Sequence, residues 1–406
     1  MTSRDRVRSA LAHVQPDRVP VDFGAHRSSG IMALAYRRLR RHLGLPERPV
    51  RIYDLIQQLA IIDDDVLDRF GIDTAELGRG FCREGRFWKP WPLPDGSDAL
   101  IPVWHDVRRE GDDWVLYAAG RPVGVQKAGS LYFEQTYWPY LDGVPDDLSA
   151  LPEAMASVMW AQATPPGPDV PVAALAEGAR ALRAATDRAL LFIFGGNLLE
   201  WGQFLCRNDI FLMLLAGDPA RACRLLDRLV DLHLARLEQV LPVVGPHVDV
   251  VLFGDDLGMQ NGPQMSPRMY RELFKPRHAR MWKRAKELAG AKVKLHCCGG
   301  VRPLLDDMID AGLDAINPVQ ISCAGMDAAG LKRDFGSRLC FWGGGCDTQR
   351  VLPRGTPEEV RRHVLEQCRI LAPGGGFVFQ QVHNVMANVP PENLVAMFDA
   401  VAEFNR

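Results

Sequence analysis

Ala291-Lys292-Val293-Lys294-Leu295-His296-Cys297-Cys298-Gly299-Gly300 reads as a short buried strand that runs into a glycine-broken loop. An amphipathic segment follows, with Val301, Leu304, Leu305, Met308 and Ile309 at helical spacing. Strand, loop and helix are the parts of a parallel α/β unit, and in such units chemistry gathers at the strand ends. In extended chain, residues i and i+2 share a side. His296 and Cys298 therefore converge, while Cys297 faces away.

The same pattern recurs outward from this point. Apolar, often β-branched runs end in polar or glycine residues at Val19-Pro20-Val21-Asp22-Phe23, Ile72-Asp73-Thr74-Ala75-Glu76-Leu77 and Leu190-Leu191-Phe192-Ile193-Phe194. Others are Val248-Asp249-Val250-Val251-Leu252-Phe253, Ala315-Ile316-Asn317, Leu339-Cys340-Phe341-Trp342 and Phe377-Val378-Phe379. Helix start signals lie between them: Asp218-Pro219, Ser266-Pro267 and the capping box Thr356-Pro357-Glu358-Glu359. Leu225, Leu226, Leu229 and Leu237 mark the apolar side of the helix that Asp218 opens. About eight strand–helix units predict an α/β fold, a (β/α)8 TIM barrel, with a doubly wound open sheet as the alternative.

One region breaks the alternation. From residue 86 to about 127 the chain is rich in Trp, Pro and turn signals such as Pro94-Asp95-Gly96 and Gly111-Asp112-Asp113-Trp114. It predicts an antiparallel β segment inserted in a single barrel domain that spans 1–406. Trp88, Trp91, Trp104, Trp114, Tyr132, Phe133 and Trp138 cluster in or near it, either as core or as the mouth of a pocket. The Pro- and Ala-rich stretch from residue 145 to 171 predicts a surface excursion with a short helix.

Composition bounds the function. The chain has 406 residues, 47% hydrophobic and 24% charged, with a net charge of −2, which suits a soluble globular protein with ample core. That balance argues against nucleic acid or a membrane surface as partner. No apolar stretch approaches ~20 residues, and the polar start Met1-Thr2-Ser3-Arg4-Asp5-Arg6 lacks a signal core. Nine cysteines without a regular framework suit reduced thiols, so a cytoplasmic location is expected.

Three groups of residues carry candidate chemistry. His296 and Cys298 offer two metal ligands, and a catalytic zinc needs about three plus an open position. The third is His383, in Gln380-Gln381-Val382-His383-Asn384, or alternatively Cys346, in Gly343-Gly344-Gly345-Cys346-Asp347. Asp255 and Asp256 end another strand. Their repulsion suits one of them for acid/base work, but equally one caps a turn and the other holds a backbone amide. Gln260, Asn317, Gln320 and Asn384 are neutral hydrogen-bonding groups at comparable loop positions. Phe194-Gly195-Gly196-Asn197-Leu198-Leu199-Glu200-Trp201 is a glycine turn into a helix N-terminus without a P-loop lysine or a dinucleotide glycine pattern. Glu200 joins the four neutral groups as a candidate substrate contact.

With these ends assembled, the chain resembles the uroporphyrinogen decarboxylase superfamily, and most of all its zinc-dependent, corrinoid-linked methyltransferase branch. The residues that carry the resemblance are Asp255-Asp256-Leu257-Gly258-Met259-Gln260, Ser266-Pro267 through Lys275-Pro276, Leu295-His296-Cys297-Cys298-Gly299, Ile316-Asn317-Pro318-Val319-Gln320, and Val382-His383-Asn384 with Pro390-Pro391-Glu392-Asn393. The resemblance implies a (β/α)8 barrel. It also implies zinc held by His296, Cys298 and a distant residue, where the branch has cysteine and this chain has His383. Decarboxylases of the superfamily carry an Arg-Gln-Ala-Gly-Arg element that grips substrate carboxylates. Here Phe23-Gly24-Ala25-His26-Arg27-Ser28-Ser29-Gly30 stands instead, so the polyanionic tetrapyrrole is not the expected substrate. No Asp-x-His-x-x-Gly cobalamin motif occurs, so a corrinoid is expected on a separate protein.

The expected function is a zinc-dependent methyltransferase that moves a methyl group between a small methylated substrate or thiol and a corrinoid protein. One alternative is a metal-free decarboxylase or lyase in which Asp255, Asp256 and His383 move protons. Another is a non-catalytic ligand-binding barrel. Expected partners are the small molecule and the corrinoid protein, with a homodimer left open.

Overall fold

The computed structural model describes residues 1–80, 85–163 and 172–406. Seven parallel strands form the central sheet: β1 (Thr74–Glu76), β2 (Ala189–Gly195), β3 (Val250–Gly254), β4 (Lys292–His296), β5 (Ala315–Asn317), β6 (Cys340–Trp342) and β7 (Phe377–Val378). They stand in the sheet in chain order, β1 to β7. A doubly wound sheet reverses its order at a switch point, so that alternative is excluded.

Residues 19–23, expected as the first strand, join the two edges. Asp22 N donates to Phe379 O, Phe379 N to Pro20 O, and Asp73 N to Val21 O, each at 2.8 Å. The sheet thus curls round in a TIM-barrel-like α/β fold.

Strand alternation sorts the apolar side chains into two layers. Val251, Phe253, Val293, Leu295, Ile316 and Phe341 face the helices in the main core. Leu191, Val250, Ala315, Cys340, Trp342 and Val378 fill the inside of the ring. Val7, Ala10 and Leu11 of the helix Ser3–Leu11 join this inner layer, so that helix packs against the barrel interior.

The predicted helix starts form as read. Asp218 accepts from Arg221 N at the head of Pro219–Val244, where Leu225, Leu226, Leu229 and Leu237 are buried. Thr356 and Glu359 close a reciprocal capping box on Pro357–Leu371.

Between β1 and β2 the chain makes antiparallel pairs: Trp88–Pro92 with Asp98–Pro102, then Asp106–Glu110, Asp113–Ala118 and Arg121–Gln126 in succession. Asp98–Pro102 also pairs, in parallel, with Val50–Asp54, a strand the sequence reading did not anticipate. Trp91 is buried against Trp114, with ring centroids 4.4 Å apart. In the stretch 145–171 a helix, Leu151–Ala156, is present, and residues 164–171 lie outside the described residues.

Candidate active site

The C-terminal strand ends and the loops after them surround a cavity of about 620 Å³. His296, the last residue of β4, lies opposite Asn317, the last residue of β5. His296 Nδ1 is 2.7 Å from Asn317 Oδ1. The Asn317 amide nitrogen donates to Trp342 O at 2.7 Å and to Gln380 Oε1 at 2.9 Å, which fixes its oxygen as the acceptor. The proton therefore sits on His296 Nδ1, and the Nε2 lone pair is free. Nε2 lies 3.5 Å from Cys298 Sγ.

His383, in the loop after β7, is held the same way. Its Nδ1 is 2.9 Å from Asn384 Oδ1, and the Asn384 amide nitrogen donates to Gln57 Oε1 at 3.0 Å. Burial, then the neighbouring His296, pushes the His383 pKa down, toward the neutral form that ligates metals. Ligand atoms of His296, Cys298 and His383 all lie within 4.8 Å of one another.

Zinc bonds of ~2.1 Å to nitrogen and ~2.3 Å to sulfur at tetrahedral angles put N and S about 3.6 Å apart. The His296–Cys298 separation matches that edge. Two imidazoles and one thiol are also a donor set that zinc favours. The residues present fit the ion.

The loop that carries Cys298 is pinned on both sides. Cys298 N donates to Asp256 Oδ1 at 2.7 Å and Gly299 N to Gln320 Oε1 at 3.0 Å. Gly299 has φ +93°, and a Cβ there would stand 2.3 Å from the Gly258 carbonyl carbon, so only glycine fits. Burial, followed by the Asp256 charge, raises the Cys298 thiol well above its ordinary range.

The two adjacent aspartates have parted roles. Asp255 is fully buried, and its oxygens accept from Leu199 N and Glu200 N, each at 3.1 Å, at the head of the helix Leu199–Cys206. His278 Nε2 stands 3.2 Å from the same carboxylate. Asp255 caps and braces, and it does not line the cavity, in contrast to its expected catalytic role. Asp256 does line it, as do Glu200 and His383. Glu200 Oε2 accepts from Asn197 Nδ2 at 2.5 Å and Asp256 N at 3.1 Å. Burial, then Asp256 and Asp255, raises the Glu200 carboxyl well above the usual carboxylate range.

Other expected site residues fall into place differently. Asn317, Gln320 and Asn384 hold the ligands and their loop and do not line the cavity. Gln260 is exposed in the turn of the short Gly258–Pro263 hairpin, with its Oε1 3.4 Å from Cys323 Sγ. Cys346 is buried, its thiol directed at Asp347 O, 3.9 Å away, and among the described residues it is not part of the ligand cluster. Of the two candidates for a third ligand, His383 lies with His296 and Cys298 and Cys346 does not. Of the aromatics read either as core or as the mouth of a pocket, Tyr132 and Phe133 line the cavity and the tryptophans at 88, 91, 104, 114 and 138 do not.

The sequence reading missed the layer beneath the ligands. Lys294 is fully buried, with Nζ 2.9 Å from His26 Nε2, 3.9 Å from Asp22 Oδ2 and 3.9 Å from the centre of the Trp342 ring. Burial pulls its pKa down to about 7 and that of His26 to about 3. The available signal was strand alternation, which places Lys294 on the same inward face as His296.

Among solved structures, a methyltransferase from Methanosarcina mazei matches with a TM-score of 0.58 at 16% identity, covering 100% of both chains. That likeness shows the fold. No curated protein matches the chain. Residues 207–404 match the model of the uroporphyrinogen decarboxylase (URO-D) family, so the resemblance to the uroporphyrinogen decarboxylase superfamily read from the motifs holds over this half of the chain.

Proposed function

We propose that this chain is a zinc-dependent methyltransferase that passes a methyl group between a small methylated substrate or thiol and a corrinoid carried by a separate protein. The convergence of His296, Cys298 and His383 ligand atoms within 4.8 Å carries this reading. It is supported by the URO-D match and by the barrel shared with the Methanosarcina mazei methyltransferase. Zinc bound there supplies Lewis acidity toward a substrate heteroatom.

The chain's own residues prepare that position. Asn317 and Asn384 fix the tautomers of the two histidines, so that both Nε2 atoms are free to ligate. Asp256 and Gln320 hold the Cys298 loop from below. His296 and His383 line the cavity together with aromatic side chains.

Glu200, whose carboxyl is raised well above the usual carboxylate range by burial and then by Asp256 and Asp255, is the one observation that favours a metal-free lyase instead. Methyl transfer between free cobalamin and a panel of small methylated compounds separates the two. Transfer that requires added zinc supports the methyltransferase. Turnover of a carboxylated compound that survives chelation supports the lyase.

A further inference from the structure

The helix Leu199–Cys206 presents two kinds of side chain to the cavity. Phe204 lies between two indoles: its centroid is 5.4 Å from Trp160 with the planes at 23°, and 5.8 Å from Trp201 with the planes at 78°. All three rings line the cavity. Glu200, one residue before Trp201, lines it too, and Asp256 lies against Glu200 through the 3.1 Å bond from its amide.

Two carboxyl groups thus share an aromatic-walled space in which positive charge is scarce. Arg27 is the only lysine or arginine among the cavity's described lining residues, and its Nε bonds Asp54 Oδ2 at 2.5 Å. Burial holds His26 down to about 3 and His233 to about 4, so neither supplies a cation near neutral pH. Burial, then the Asp256 and Asp255 charges, raise the Glu200 carboxyl, and a bound cation would offset that repulsion. Aromatic faces attract cations through their negative quadrupole, and a carboxylate beside them supplies the counter-charge.

We propose that this cavity binds a methylated ammonium ion, seated on Trp160, Trp201 and Phe204 with its charge met by Glu200 and Asp256. This substrate class rests on the methyltransferase reading and narrows it. Asp256 also sets the distance to the ligand cluster, since its Oδ1 is 3.7 Å from His296 Nε2. A cation held at the carboxyl pair therefore has its methyl groups beside the cluster.

The test compares choline with 3,3-dimethylbutan-1-ol, which has the same shape and no charge, by titration calorimetry on zinc-loaded protein. Choline is expected to bind at least tenfold tighter. Glu200→Gln, which keeps the side-chain shape, is expected to weaken choline at least tenfold and leave the alcohol unchanged, and added salt is expected to weaken only choline. Equal binding of the two probes, binding of neither, or an unchanged choline affinity in Glu200→Gln overturns the cation site. Zinc content measured on the same samples keeps the two readings apart. Zinc-replete protein that fails to prefer choline loses the cation site alone. Protein that prefers choline but takes up no zinc keeps the site and loses the zinc-dependent reading.

Discussion

His296 and Asn317 end neighbouring parallel strands in register, and their side chains meet at 2.7 Å. Backbone pairing therefore sets the pair that decides which imidazole nitrogen faces Cys298. Asn317→Ala removes the acceptor and frees the ring to turn. Zinc affinity is expected to fall about 10- to 100-fold. Competition with a chromophoric chelator measures it, and an affinity equal to wild type would show that Asn317 does not orient the ligand.

Gly299→Ala tests the loop. A Cβ 2.3 Å from the Gly258 carbonyl carbon, on a backbone at φ +93°, forces the loop that carries Cys298 to move. Stability is expected to drop by about 1–3 kcal/mol, and bound zinc to fall below one equivalent. Urea denaturation and metal analysis read the two effects separately. Full zinc occupancy in a folded variant would show that the loop adapts.

Asp255→Asn addresses the aspartate that braces a helix. The variant loses the charge that faces the amides of Leu199 and Glu200 and the ring of His278. A loss of about 1–2 kcal/mol is expected with zinc stoichiometry unchanged. Zinc loss with unaltered stability would return Asp255 to the site.

His105 makes acid stability readable. It is buried, and neither ring nitrogen has a hydrogen-bond partner among the described residues. Burial, then Lys89, lowers its pKa from 6.5 to about 4. The unfolded chain takes up the proton first, so this group removes stability as pH falls from 6.5 toward 4 and contributes nothing above that window. The loss amounts to roughly 3 kcal/mol at most. His105→Leu is expected to match or exceed wild-type stability at pH 7 and to lose less between pH 6.5 and 4.5. Parallel denaturant curves at the two pH values in both proteins would contradict this.

Much of the frame was legible because it follows from local pattern. The strand at 292–296 and the capped helices at 219 and 357 need only nearest-neighbour chemistry, and they form where read. Strand alternation points to the pairing of His296 with Cys298, but the strand ends at His296, and the loop pinned by Asp256 and Gln320 places Cys298. The roles of Asp255 and Asp256 were not separable, because the helix amides that claim Asp255 lie 56 and 55 residues away in the chain. Choosing His383 over Cys346 likewise depended on which loop turns its side chain inward, and Cys346 spends its backbone on the bridge to Gln381. The tryptophans of residues 88–126 were ambiguous for a related reason: an aromatic run signals burial and does not say against what.

Zinc stoichiometry and coordination of the purified protein test the central claim most directly. After incubation with zinc and removal of excess, wild type is expected to hold one ion per chain, with X-ray absorption reporting one sulfur and two imidazole nitrogens. The His296→Ala, Cys298→Ser double variant is expected to hold none while remaining folded. Folded wild type without zinc, or a double variant that retains the same ion, would contradict it.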